Sequence, residues 1–400
     1  MKVLIVTPFY PFPENNNGVN KIVVNLIKHN RYYNADVLSL YNLQDERFFS
    51  CEKNFESNFY KIPNKTLSKK KTIFRWLVNK YPYNVTRQTE NFQEIKKIIE
   101  KIHLKYDVIH FVTPFLFPLL EKLDNKILKK IILFPIDSFS YFTFNRIKHA
   151  DLLLKFPLYY DFIKWKNFEK KFYINFPHRI YFVSNKDCEF VKKLHPKIEA
   201  GFIPNGVDTN YFKPTKTVCE KNSIIFTGNM SYAPNKDAVK FLLYEVLPIV
   251  KKEIPDIRVY IVGLNAEKEF NKIIMKNVFI KGYVEDLREW LEKAEIFVSP
   301  LRFGSGIKNK VLEAMAMEKI VIGTDISFEG IKGENVFIRS TSNPVDFANK
   351  IVFALNQKPK YIEKNARKLV EESYSWEHIR MQYAVLYKKV KDEKYSDFGR

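Results

Sequence analysis

The sequence is short of cysteine, of acidic residues relative to basic ones, and of long apolar runs, and each shortage excludes something. Cysteine occurs three times in 400 residues, at Cys51, Cys188 and Cys219. The three are far apart and in no metal-ligand spacing, which excludes a disulfide framework and a cysteine-based zinc site and suggests a reducing compartment. No apolar run approaches the ~20 residues that cross a bilayer, so any membrane attachment is expected to be peripheral. The opening VLIVTPFY could pass for a short signal peptide, but Pro8, Pro11 and Pro13 interrupt it and no small-residue cleavage site follows. Residues 3–6 are therefore read as a first buried strand.

Acidic residues number 45 against 66 Lys and Arg, a formal charge of +21 with a sequence pI near 9.5. That balance would suit a nucleic acid, an anionic membrane surface or a phosphorylated ligand, and a compositional bias toward Lys, Asn, Ile, Phe and Tyr accounts for part of it without any function. No recognition helix, zinc module or stacking-sheet motif is present, so nucleic acid is not expected as a partner. With 46% hydrophobic residues over 400 positions the chain can bury sizeable cores and is too long for one.

What is present is a repeated alternation of apolar runs and helical patterns. In the first half, strands are expected at residues 3–6, 108–112, 131–134, 179–183 and 198–203, with a helical pattern through Ile22, Val23, Leu26 and Ile27 and a long aromatic helix over 158–176. Ser184 is placed to cap the helix after the fourth of these strands. His110 lies near the C-terminal end of its strand, and the next strand delivers Asp137 and Ser138 to the same edge, where open α/β sheets bind ligands. Residues 45–105 are less regular. There Lys69, Lys70, Lys71, Arg75 and Lys80 alternate with Ile73, Phe74, Trp76, Leu77 and Val78, which fits a helix lying on an anionic membrane or an amphipathic helix covering the sheet.

Turn chemistry at residues 204–208 (PNGVD) suggests a boundary. The alternation then restarts, with strands expected at 224–227, 258–262, 278–280, 296–299, 320–323 and 336–338. This pattern predicts an α/β protein of two doubly wound, Rossmann-like domains facing a cleft. The expected domains are 1–208, 209–375 and a C-terminal helix within 376–400 that packs back on the first domain.

Residues 299–317, SPLRFGSGIKNKVLEAMAM, concentrate the chemistry of the second half. An apolar run ends, a loop holds Gly304 and Gly306, and a strong helix former follows. Such a junction leaves the first helical N–H groups unpaired at the positive end of the helix dipole, and glycines let an anion approach the main chain. Lys308 and Lys310 add positive charge, while Glu313 is a lone carboxylate suited to accept hydrogen bonds from sugar hydroxyls. An ordinary strand-to-helix junction with solvent-facing lysines has the same spacing.

Taken together, the motifs resemble the retaining GT-B glycosyltransferases of family 4. In the second half the resemblance rests on PNGVD, on FTGNMSYAPNKDAVKFL at 226–242, and on VYIVG at 259–263. It continues through VFIKGYVEDLREWLEKAEIFVSPL at 278–301 and GSGIKNKVLEAMA at 304–316. The first half matches through VLIVTPFYPFP with Gly18, YDVIHF at 106–111 and FVSNKD at 182–187.

The resemblance implies transfer of a sugar from a nucleotide-diphosphate sugar to a glycan or lipid-linked acceptor, with retention of configuration and with no metal or other cofactor. It further implies a role in bacterial surface polysaccharide or glycoconjugate synthesis, in the cytoplasm or peripherally on the inner face of the membrane. By the same resemblance, Glu313 would hold the donor's ribose hydroxyls and Lys308 would lie by the diphosphate. The backbone of Gly304, Ser305, Gly306 and Ile307 would meet phosphates and sugar. Gly228 and Asn229 would approach the diphosphate from the other side, with Gly263 counted on the donor side as well, and Tyr283 and Val284 would line the base. Gly18 and Asp137 would lie on the acceptor side, and His110 near the transferred sugar, counted as catalytic with Lys308 and Glu313. Ser305 stands where many members carry the first glutamate of the E-x7-E pattern, and Val112 where some carry a second histidine. A GT-B nucleotide-sugar epimerase and a catalytically silent GT-B glycan-binding protein share the architecture and are the alternatives.

Overall fold

The computed structural model describes the chain except residues 15–16, 149–150, 216–217, 305 and 397–400, with only the backbone described for 394–396. The chain divides into two compact units, Met1–Pro204 with Arg380–Arg400, and Asn205–Ile379.

The first unit is built on seven parallel strands: β1 Lys2–Thr7, β2 Asn34–Tyr41, β3 Phe59–Pro63, β4 Val108–Val112, β5 Ile131–Ile136, β6 Ile180–Phe182 and β7 Ala200–Phe202. Their order in the sheet is β3-β2-β1-β4-β5-β6-β7. Strand order reverses between β1 and β4, so their C-terminal ends form a topological switch point. The central strands are continuous apolar runs because both faces are covered. Leu4, Val6, Ile109, Phe111, Ile131 and Leu133 belong to one core. By the two-residue period of a strand, His110, Ile132 and Phe134 point to the other face.

That second face is closed by the end of the chain. The helix Trp376–Ser396 starts in the second unit and from Arg380 onward belongs to the first. Its Tyr383 and Tyr387 are buried against His110, with ring centroids 5.6 Å away in both cases. Arg380 Nη1 donates to the Asn25 carbonyl at 3.0 Å, and Glu393 pairs with Arg179 at 3.0 Å.

Strands β2 and β3 fall where the sequence shows no clean strand pattern. Asp36 and Ser39 interrupt the apolar run of β2, yet both are buried. Asp36 accepts from the Tyr106 hydroxyl at 2.6 Å and from the Asn58 amide at 2.9 Å, and it pairs with Lys2 at 3.1 Å. A buried carboxylate is tolerated when its oxygens are satisfied in this way. The long helix runs over Leu152–Tyr173, beginning earlier than expected, and Ser184 does cap Asn185–Leu194, accepting from the Asp187 amide.

The second unit has six parallel strands: β8 Glu220–Thr227, β9 Arg258–Val262, β10 Val278–Lys281, β11 Ala294–Ser299, β12 Ile320–Gly323 and β13 Ile338–Arg339. Their order is β10-β9-β8-β11-β12-β13, which puts the switch point between β8 and β11. Alternate residues of the strands feed two cores. Ile224, Ile261, Val298 and Ile322 pack under the helices of 233–253 and 344–357, whereas Ile225, Val262, Phe297 and Val321 pack under Asn309–Ala316 and 360–370. Two three-layer α/β units are therefore present, as the alternation of strands and helices predicts.

Candidate functional site

The loops that leave β8, β9 and β11 meet at the switch point of the second unit. Gly228 follows β8 and Gly263 follows β9, with φ of +154° and +140°. A Cβ on Gly263 would overlap the Gly228 carbonyl oxygen, so only glycine allows these two turns to touch. They are also tied by backbone bonds. The Gly228 N–H donates to Val262 O at 3.0 Å and the Met230 N–H to Leu264 O at 2.8 Å. The Gly263 N–H in turn reaches the carbonyls of Lys281 and Gly282 at 3.0 and 3.2 Å, which brings the segment before Tyr283 and Val284 to the same edge. Tyr283 is exposed, while Val284 is half-buried against the core.

The loop after β11 approaches from the other side of β8. Gly304 and Gly306 have φ of +125° and +75°, and a Cβ on Gly304 would sit 3.7 Å from Pro234. Arg302 clamps this loop to the helix Ala233–Lys240 by a two-pronged contact with Asp237 at 2.6 and 2.8 Å. That carboxylate raises the guanidinium pKa further. Ile307 packs beneath Gly330. Ser305, the position that departs from E-x7-E, lies outside the described residues.

Lys308 is the N-cap of Asn309–Ala316 and its ammonium folds back to donate to the Gly306 carbonyl. Lys310 turns inward. Its Nζ donates to Asn235 Oδ1 at 2.7 Å and lies 3.9 Å from the centre of the Phe226 ring. Burial, with the nearby charge of Lys308, holds this ammonium well below the ordinary lysine value. The Asn235 amide donates to the Asn229 carbonyl at 2.9 Å, so one asparagine links the β8 loop to the lysine of the β11 helix. Glu313, on the second turn of that helix, is buried at 9% exposure. Gly228, Asn229, Gly263, Gly304, Gly306, Ile307, Lys308 and Glu313 are thus all on three adjoining loops and one helix. Asn235 and Lys310 belong with them. Asn235 is not singled out by the sequence, and its only signal there is its place in the same YAPNKD stretch.

In the first unit the expected residues do not gather in this way. Gly18 opens the helix Gly18–Ile27 after its cap Asn17 and has open space around it. Asp137 follows β5, on a loop pinned by bonds from the Ser138 amide to Asp187 and from the Ser140 amide to Glu169 at 2.8 and 3.2 Å. Burial pushes the Glu169 carboxyl up to about 7.

His110 is packed inside the first unit. Its exposure is 0%, its Nδ1 lies 2.6 Å from the Tyr387 hydroxyl, and its Nε2 is buried without a partner among the described residues. Burial pushes its pKa down to about 3, so the ring is neutral. The ring is sealed beneath Tyr383 and Tyr387, so in this structure His110 is packed as a core residue within β4. Among the described residues no three His, Cys, Asp or Glu side chains form a group that could hold a metal ion.

Comparison with known proteins bears on this geometry. Residues 221–357 match the family described as "Glycosyl transferases group 1", and this segment holds the glycine loops, Lys308, Lys310 and Glu313. The architecture is that of GT-B glycosyltransferases. The chain superposes on a glycosyltransferase from Rickettsia africae with a TM-score of 0.68 at 16% identity, covering 97% of this chain and 98% of that one. It also superposes on Anabaena Alr3699/HepE in complex with UDP, with a TM-score of 0.67 at 13% identity, covering 97% and 100%. In sequence, it is 23% identical over 390 residues to an "uncharacterized 44.6 kDa protein in cps region" of Klebsiella pneumoniae, covering 93% of this chain and 96% of that protein.

Proposed function

We propose that the protein is a retaining glycosyltransferase of family 4 that moves a sugar from a nucleotide-diphosphate donor to a glycan or lipid-linked acceptor. The observation that carries this reading is the convergence of three glycine turns on the N-terminus of the helix Asn309–Ala316, inside the group 1 segment. In a helix of this kind the first N–H groups lack intrahelical partners and face the strand ends. Together with Lys308, Lys310 and the turns at Gly228 and Gly263 they form a cradle suited to two phosphates.

In the proposed reaction the bond between the sugar's anomeric carbon and the diphosphate oxygen breaks while the acceptor oxygen bonds to the same face of that carbon. The acceptor proton passes to the departing phosphate. Negative charge grows on the diphosphate, and preorganised amides and the Lys308 ammonium stabilise it without moving at that moment. On this reading neither a metal nor a carboxylate nucleophile is required. Glu313 accepts from the ribose hydroxyls, Tyr283 and Val284 flank the base, and Gly18 and Asp137 serve the acceptor.

The UDP complex of the Anabaena protein favours a uridine nucleotide as the first donor to try. A cps-region relative favours surface polysaccharide as the product class, and a peripheral cytoplasmic position would suit it. The test is a thermal-shift panel of UDP-, GDP- and ADP-sugars, followed by a labelled-donor assay. Stabilisation by one nucleotide class and transfer of label to an acceptor are expected. No stabilisation by any nucleotide diphosphate at millimolar concentration would overturn the reading. Epimerised donor without transfer would support the epimerase alternative instead.

A further inference from the structure

Two helices of the first unit present apolar faces that nothing among the described residues covers. The helix Lys69–Val78 lies against Leu152–Tyr173 through one side only. Trp76 donates its indole N–H to Asp161 at 2.8 Å, and the Tyr160 hydroxyl donates to the Leu77 carbonyl at 2.9 Å. The Lys164 ammonium caps the Asn79 carbonyl. The opposite side of Lys69–Val78 carries Ile73, Phe74, Leu77 and Val78, with Phe74 67% and Val78 69% exposed. These residues sit at i, i+1, i+4 and i+5, one face of a helix. The sequence of this segment fits a membrane helix and a covering one alike, and in the structure the helix leaves an apolar face open on its outer side.

Leu152–Tyr173 repeats the arrangement. Leu152, Phe156, Tyr159 and Ile163 are spaced 4, 3 and 4 apart, a single stripe, and Leu152 and Phe156 are each 82% exposed. Leu153 beside them is 91% exposed. Trp165 and Phe168 take the inward side of the same helix. Water-facing leucine and phenylalanine in successive turns are costly unless something covers them.

We propose that these two faces dock on an anionic lipid surface, with the rings and leucines at headgroup depth. The charge pattern selects this occupant. Lys69, Lys70 and Lys71 form the exposed first turn of one helix, Lys155 sits within the exposed start of the other, and residues 65–80 contain no Asp or Glu. Apolar faces bordered by lysines match an anionic bilayer. A two-fold contact between copies would set the same lysines against one another. No helix of the described residues is long and apolar enough to span, so the contact is peripheral. The proposal stands apart from the donor site, since vesicle binding and nucleotide binding can fail separately.

The experiment is sedimentation of the full chain with vesicles of phosphatidylcholine alone or mixed equally with phosphatidylglycerol, at low and high salt, alongside light scattering for mass. The wild type is expected to pellet with the mixed vesicles at least tenfold more than with phosphatidylcholine, and to be released by salt. The triple variant Leu152→Ser, Leu153→Ser, Phe156→Ser should lose that binding while its melting temperature and nucleotide response are kept. Lys69→Gln, Lys70→Gln, Lys71→Gln should lose the lipid preference. A wild type that ignores mixed vesicles, or variants that bind as the wild type does, would overturn the proposal. So would a wild-type dimer that the triple variant turns into a monomer.

Discussion

Each unit has a switch point, and the two sheets treat theirs differently. In the second unit the polar groups lie beyond the strand ends, on turns that glycine allows to touch, and Lys310 ties into them through Asn235. In the first unit the corresponding polar group, His110, lies within β4 and is sealed by an aromatic layer from the last helix. His110 lies two residues before the last residue of β4, inside the sheet, whereas the second unit's groups lie past their strand ends. Position relative to the strand end decides the use of a polar side chain, and residue type does not.

The sharpest way to break this contrast is at the turns. Gly263→Ala should force the β8 and β9 loops apart, destabilise the second unit by about 2–4 kcal/mol and abolish the nucleotide thermal shift. Urea unfolding with and without nucleotide measures both effects. Next come Glu313→Ala and Lys308→Ala, each expected to lower transfer roughly a hundredfold, the size of a charge-assisted hydrogen bond of about 1.5–3 kcal/mol, with the fold kept. If both retain wild-type turnover in the labelled-donor assay, the site lies elsewhere.

His110→Phe sharpens the comparison from the other side. It should change turnover by less than about threefold while altering stability through its loss of the Tyr387 contact, by about 1 kcal/mol. A hundredfold fall in turnover at unchanged stability would place His110 in catalysis.

The smallest effects concern pH, and their signs oppose. The folded His110 value of about 3 lies below the ordinary 6.5. Its contribution is therefore present above about 6.5 and lost as pH falls toward 3, because the unfolded chain takes up the proton first. The folded Glu169 value of about 7 lies above the ordinary 4.5. Its contribution is present below about 4.5 and lost as pH rises toward 7. Melting curves from pH 4 to 8 should flatten on the acid side in His110→Phe and over the rise to neutrality in Glu169→Gln.

Much of the fold was readable. The apolar runs at β1, β4, β5, β9 and β12 mark strands because they are buried on both faces and need no long-range partner to be recognised. β2 was not readable, because Asp36 looks like a surface residue until Tyr106 and Asn58 are placed on its oxygens. At the candidate site, Gly304, Gly306, Lys308 and Glu313 stand out by their spacing, and Gly228 and Gly263 only through the resemblance. Lys310 was legible only as a charge, because its partner Asn235 lies 75 residues away.

The sequence by itself determined two doubly wound α/β halves and the glycine junction of the second, since these depend on periodicity and local backbone freedom. The tertiary structure alone decided which polar groups meet and which are sealed. His110, expected at the ligand edge, is packed against a tyrosine 277 residues away. Contacts of that separation are fixed by how elements pack, and no local pattern encodes them.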